Sequence, residues 1–209
     1  MDNKIILISG GTGVGSTTYS FELAKALGIV NILSTDFIRE VIRSIIARPL
    51  NPTLDKSTYT AGQTVHYDEK PEEVQYAEII RGYKTQCAAI NVGVEGIIKR
   101  AVNENIPLII EGVHLLPGKF RESGLFKTCN GRFREYHIFI EDEETHKARF
   151  VTRQEEAPDR SMEKYIRNFR EIRWIHDYML SRAKRFDSIT CIDNGSTITE
   201  GLDCMLKTI

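Results

Sequence analysis

The sequence predicts a three-layer α/β fold, a central parallel sheet of about five strands with helices on both faces, and three observations carry that prediction. Short apolar runs at 5–8, 31–35, 107–112, 135–141 and 188–193 alternate along the 209 residues with longer segments whose apolar positions recur at helical spacing. The first run passes at once into a glycine-rich turn, GGTGVGS, and then into an amphipathic segment that begins near Thr17. Strands joined through helices call for right-handed crossovers and parallel pairing, and such sheets take ligands at the carboxyl ends of their strands.

Taken in order, IILI reads as a buried strand and residues from Thr17 to Gly28 as its crossover helix. NILST is the second strand, and Asp36 is placed to cap a helix that runs to about Ala47. Residues 48–75, with prolines at 49, 52 and 71, break the rhythm and read as a loop-rich insertion. From Tyr76 to Asn103 the apolar positions keep a helical period, so one long helix leads into the strand PLIIEG. EYHIFIE is a fourth strand, a highly charged helical region follows to about Arg185, and SITCID with a closing helix after Ser196 completes the chain. A single domain, 1–209, is the economical reading, with an arginine-rich lid at 143–160.

Composition narrows the partners. A formal net charge of -1 with 27% charged residues gives no general attraction to nucleic acid or to an anionic membrane. No apolar stretch reaches the roughly eighteen residues of a membrane span, and the start MDNKIILISG is too short for a signal peptide, so the expected compartment is the cytoplasm. Cys87, Cys129, Cys191 and Cys204 are scattered without a C-x-x-C pair, and the five histidines show no ligand spacing; both sets read as structural. The expected partner is a small anionic substrate, with room for a homodimer.

The glycine turn admits two nucleotide readings. A dinucleotide fingerprint starting at Gly11 and Gly13 would need its third glycine at Ser16, and no Y-x-x-x-K pair accompanies it. The phosphate-loop pattern G-x-x-x-x-G-K-[ST] falls on Gly10, Gly15 and Thr17 and keeps every element except the lysine, which is Ser16. On that reading Gly11, Thr12, Gly13, Val14, Gly15, Ser16, Thr17 and Thr18 wrap the β-phosphate of ATP with backbone N–H groups at a helix N-terminus, and the Thr17 hydroxyl ligates Mg2+.

A missing lysine calls for cations from elsewhere. Between Lys147 and Arg185 stand eleven basic residues against six acidic ones. Arg149 and Arg153 are four apart and share one helix face, a spacing suited to closing two guanidinium groups over a polyphosphate. Most of the other charges read as a solvated face. On the acceptor side, Asp36 at the end of the second strand can orient a hydroxyl and help hold Mg2+, with Arg39 and Arg43 clamping an anionic substrate. Glu111, ending a buried strand, suits a magnesium contact, and Tyr59, Arg81 and His114 are further candidates for holding substrate.

These residues carry a resemblance. GGTGVGSTTYSFELAKALGI, STDFIREVIR, STYTAGQ, IIEGVHLLPG and YIRNFREIRWIHDYML together resemble the kinase portion of the archaeal 2-phosphoglycerate kinase family, in order from the first strand to about Leu180. The resemblance implies a P-loop kinase fold with a helical lid, use of ATP and Mg2+, and phosphorylation of 2-phosphoglycerate to 2,3-bisphosphoglycerate. It also carries the expectation that the N-terminal regulatory region of longer members is lacking. Ser16 departs from the general loop pattern. Two alternatives therefore stay open: a P-loop protein that binds nucleotide without transferring phosphate, and a kinase for another phosphorylated polyol such as an inositol phosphate.

Overall fold

The fold is seen in a computed structural model that describes residues 4–129, 131–156, 162–195 and 197–209, without the side chains of Thr128 and of residues 153–156. The strand Ile5–Gly10 (β1) is buried along its whole length. A strand buried on both faces must be apolar at every position, which is why it reads as an unbroken run. Ile5 and Leu7 point to one side and Ile6 and Ile8 to the other, each pair into a different cluster.

Four more strands flank it: Ile32–Ser34 (β2), Leu108–Gly112 (β3), Phe133–Phe139 (β4) and Ile189–Asp193 (β5). They pair in parallel in the order β2-β3-β1-β4-β5, with Ile8 level with Glu111 and with Tyr136. The order turns back at β1, so the crevice at the carboxyl ends of β1 and β3 is the natural ligand site.

The helices Ser16–Leu27 (α1) and Ile198–Lys207 (α8) cover one face, where Tyr19, Leu23 and Met205 pack on Ile6 and Ile8. The other face is covered by Thr35–Ile45 (α2), the 32-residue Glu72–Asn103 (α3) and the short Lys119–Glu122 (α4). The charged stretch divides into Glu143–Glu156 (α5), Met162–Arg167 (α6) and Phe169–Ala183 (α7), and α7 packs its Ile172, Ile175 and Met179 against α3.

Two boundaries differ from the sequence reading. The cap of α2 is Ser34, whose hydroxyl accepts from the Asp36 N–H at 3.3 Å, so Asp36 sits inside the first turn with its carboxylate released. The segment between α2 and α3 holds three 3-10 turns and buries Leu54, Tyr59 and Tyr67. It therefore packs as part of the body, and Gly62 and Gly82 let its backbone touch α3, since a Cβ on Gly82 would fall 2.3 Å from the Gly62 nitrogen. Among the described residues, no helix is long and apolar enough to cross a membrane.

Candidate active site at the carboxyl edge of the sheet

The turn between β1 and α1 is shaped by two glycines in the left-handed region, Gly13 at φ 90° and Gly15 at φ 93°. Side chains are strained there, and at Gly13 there is no room either, because a Cβ would lie 2.5 Å from the Phe150 ring. Gly15 leads directly into α1, whose unpaired first N–H groups and positive dipole end face the turn.

Gly11, Thr12, Gly13, Gly15, Ser16, Thr17 and Thr18 line a cleft of about 480 Å³ that also includes Asp36, Glu111 and Arg149. Val14 does not line it. Its side chain is 1% exposed in the core beneath, so only its backbone belongs to the turn.

Glu111, 4% exposed at the end of β3, accepts the Ser16 hydroxyl at 2.9 Å and the Thr17 hydroxyl at 3.2 Å on one oxygen. Burial pushes its carboxyl pKa up, opposed by hydrogen bonds from Ser34, Ser16 and Thr17. Ser16 is thus tied to a carboxylate and brings no charge to the loop. Asp36 stands across the cleft with its side chain 69% exposed. Arg149, nearly two turns into α5, reaches the cleft and donates through Nη2 to the Asn194 carbonyl at 2.8 Å. Arg153 lies outside the described side chains.

The remaining expectations fare differently. Arg39 donates to the Lys56 carbonyl at 3.2 Å and pairs with Glu40, while its buried Nε has no hydrogen-bond partner among the described residues. Arg43, one turn further out, does not line the cleft, because its guanidinium is engaged by Glu40 at 2.5 Å and Asp55 at 3.9 Å. Arg81 is 72% exposed on the outer side of α3, where the inward positions are Ile79, Ile80 and Tyr83. Tyr59 is 3% exposed against the edge of Tyr165, and burial raises its hydroxyl pKa.

His114 is fully buried and does not reach the cleft. Its Nδ1 lies 3.1 Å from the Thr35 hydroxyl and its Nε2 3.2 Å from Gln86 Oε1. Gln86 in turn donates to the carbonyls of Thr53 and Lys56, so the histidine staples α2, α3 and the connecting segment together. Burial and the nearby Arg39 push its pKa down to about 3. It is therefore neutral, and its 3.7 Å approach to Asp36 is no ion pair.

Four contributors were not foreseen from the sequence. Thr152 and Tyr165 line the cleft from α5 and α6. Asn194, 4% exposed after β5, donates from Nδ2 to the Val14 carbonyl at 2.9 Å. His146, fully buried on α5, meets the Thr12 carbonyl at 2.8 Å. Only the charge-bearing rhythm of α5 pointed toward this side of the cleft.

The fold and the glycine turn at its switch point define a P-loop NTPase of the small-kinase architecture. Solved structures with this fold include a putative kinase from Chloroflexus aurantiacus, 13% identical with a TM-score of 0.52 over 99% of this chain and 93% of that one. An uncharacterized protein from Eubacterium ventriosum is 15% identical with a TM-score of 0.51 over 99% and 98%.

No protein-family model matches the chain. Over nearly its whole length the chain is homologous to archaeal proteins named 2-phosphoglycerate kinase. It is 37% identical over 206 residues to that of Methanothermobacter thermautotrophicus, covering 98% of this chain and 65% of the relative. It is 38% identical over 205 residues to that of Methanocaldococcus jannaschii, covering 98% and 62%. The one from Pyrococcus horikoshii is 37% identical over 210 residues, covering 98% and 65%. The chain thus spans about three fifths to two thirds of the length of these curated relatives.

Proposed function

We propose that the protein is an ATP-dependent kinase that phosphorylates the hydroxyl of a small phosphorylated acid, 2-phosphoglycerate, to give 2,3-bisphosphoglycerate and ADP. The observation that carries this reading is the single cleft that joins a P-loop to two carboxylates, Asp36 and Glu111, and to Arg149. A module that only held nucleotide would have no use for a carboxylate across the cleft. The names of the relatives supply the acceptor.

On this reading the loop N–H groups and the α1 N-terminus hold the β-phosphate. Thr17, Glu111 and Asp36 are hard oxygen donors, and they fit a magnesium ion. Bound there, the ion would neutralise charge shared by the β- and γ-phosphates. Asp36 accepts the hydrogen bond of the acceptor hydroxyl and takes its proton as the new O–P bond forms. The bond from the γ-phosphorus to its bridging oxygen breaks, and ADP leaves with that electron pair.

Arg149 supplies the cation that Ser16 does not. A guanidinium offers five N–H donors, of which the Asn194 carbonyl takes one. Arg39, one turn along α2 from Asp36, is the acceptor-side cation on this reading, and it does not line the cleft in the resting protein. The partners are then small anions rather than nucleic acid or membrane, the compartment is the cytoplasm, and a homodimer is compatible with the reading.

Ser16 favours a second reading, nucleotide binding without transfer. ADP release with Mg-ATP, comparing 2-phosphoglycerate, 3-phosphoglycerate, glycerate, an inositol phosphate and no acceptor, separates the two. Turnover confined to 2-phosphoglycerate supports the kinase. ATP binding with no acceptor-dependent ADP would leave the second reading, and turnover with inositol phosphate alone would reassign the acceptor.

A further inference from the structure

Two P-loop carbonyls are held by side chains from distant elements. Asn194 Nδ2 takes the Val14 carbonyl at 2.9 Å, and the His146 Nε2 takes the Thr12 carbonyl at 2.8 Å. Arg173, 9% exposed on α7, approaches the other His146 nitrogen, Nδ1, with Nη1 at 3.4 Å. A guanidinium only donates and a carbonyl only accepts, so the one tautomer that serves both neighbours carries its proton on Nε2. Arg173 is itself fixed by the Ile140 carbonyl at 2.8 Å and by Asp177 at 3.3 Å. His176 packs on His146 with ring centroids 5.4 Å apart.

His146 belongs to the same helix as Arg149, whose guanidinium meets the Asn194 carbonyl, and as Phe150, whose ring fills the space beside Gly13. Two consecutive turns of α5 are therefore bonded to the P-loop and to the loop that supports it.

We infer that His146 is a positioning residue for the phosphate loop, whose Nε2–H···O=C bond to Thr12 holds the loop amides in the phosphate-binding arrangement and locks the base of α5 to it. The inference rests on the proposed nucleotide site but not on the identity of the acceptor. A ring packed under a glycine turn could serve by volume alone, and two variants separate volume from the hydrogen bond. His146→Phe keeps an aromatic ring and removes the donor, whereas His146→Gln places an amide N–H near the position of Nε2.

The experiment measures Mg-ADP affinity by calorimetry and amide hydrogen exchange of residues 11–17 in the free protein, for wild type and both variants, with circular dichroism as the folding control. Loss of one hydrogen bond is expected to weaken Mg-ADP binding by about fivefold to tenfold in His146→Phe, with faster exchange at residues 11–17. His146→Gln is expected to stay within about threefold of wild type. Unchanged exchange and affinity in His146→Phe, or equal losses in the two variants, would overturn the inference. A wild-type protein that binds Mg-ADP but phosphorylates nothing would defeat the kinase reading and leave this test intact. A wild type without Mg-ADP affinity would defeat both.

Discussion

Arg149→Ala removes the one cation among the described residues that line the cleft, so that on the proposed reading Asp36 and Glu111 are left to face the triphosphate. Two magnitudes follow from its surroundings. Among the described residues its side chain makes one hydrogen bond, to the Asn194 carbonyl at 2.8 Å, so its removal costs about 1 kcal/mol of stability. For a chain of this size that lowers Tm by roughly 2–4 °C. On the proposed kinase reading it is the donor that, in the transition state, stands in for the lysine absent at Ser16. Loss of one preorganised donor typically costs about 2.7–4 kcal/mol, or ~10²–10³ in kcat. The assay is steady-state ADP release with 2-phosphoglycerate, alongside thermal unfolding of the same samples. A second substitution sharpens it. Ser16→Lys places an ammonium beside Glu111, which now accepts the Ser16 hydroxyl, and should restore ~10-fold or more of what Arg149→Ala loses. An Arg149→Ala enzyme within threefold of wild type, or one that Ser16→Lys leaves equally slow, would refute the claim that α5 supplies the missing charge.

Other outcomes follow from the same geometry. Asp36→Asn should leave Tm unchanged, because Ser34 caps α2, while turnover falls by ~10²–10⁴; a large Tm loss instead would make Asp36 structural. His114→Ala should cost about 2–3 kcal/mol in chemical denaturation and leave the KM for 2-phosphoglycerate within about twofold, since the residue links Thr35 to Gln86 and does not line the cleft. Stability should also fall with acid. Burial pushes the pKa values of His114 and His137 down to about 3 and that of His146 to about 4. The unfolded chain therefore takes up protons first, below its ordinary histidine pKa of about 6.5, and stability present at pH 7 declines as the pH drops toward 4. Each of the three contributes on the order of 2 kcal/mol between pH 7 and pH 5, measurable as a lower urea midpoint.

The sheet and the loop could be read from sequence because their signals are local. IILISG followed by glycines fixes β1 and the turn, and Glu111 and Asp36 stand where strand ends place them. What sequence could not give is set by contacts between distant residues. In sequence His114 is a loop histidine open to either a substrate contact or a structural role, and what decides for structure is its partners Thr35 and Gln86, the latter in the middle of α3. Asn194 and His146 look unremarkable in sequence; they matter because the ends of β5 and α5 meet the loop 134 to 180 residues away. Arg81 stands on the solvent side of α3, a matter of helical phase, since its neighbours Ile80 and Tyr83 take the inner side. Arg43 does not line the cleft, and its guanidinium is held by Glu40 and Asp55.

Phosphorus NMR of the products formed from Mg-ATP and 2-phosphoglycerate tests the central claim most directly. The account predicts stoichiometric loss of the γ-phosphate resonance, growth of ADP and a new phosphomonoester on the 3-hydroxyl, all absent without acceptor. Bound ATP that stays intact in the presence of 2-phosphoglycerate, or ADP that appears with inorganic phosphate at the same rate whether or not it is present, would contradict it.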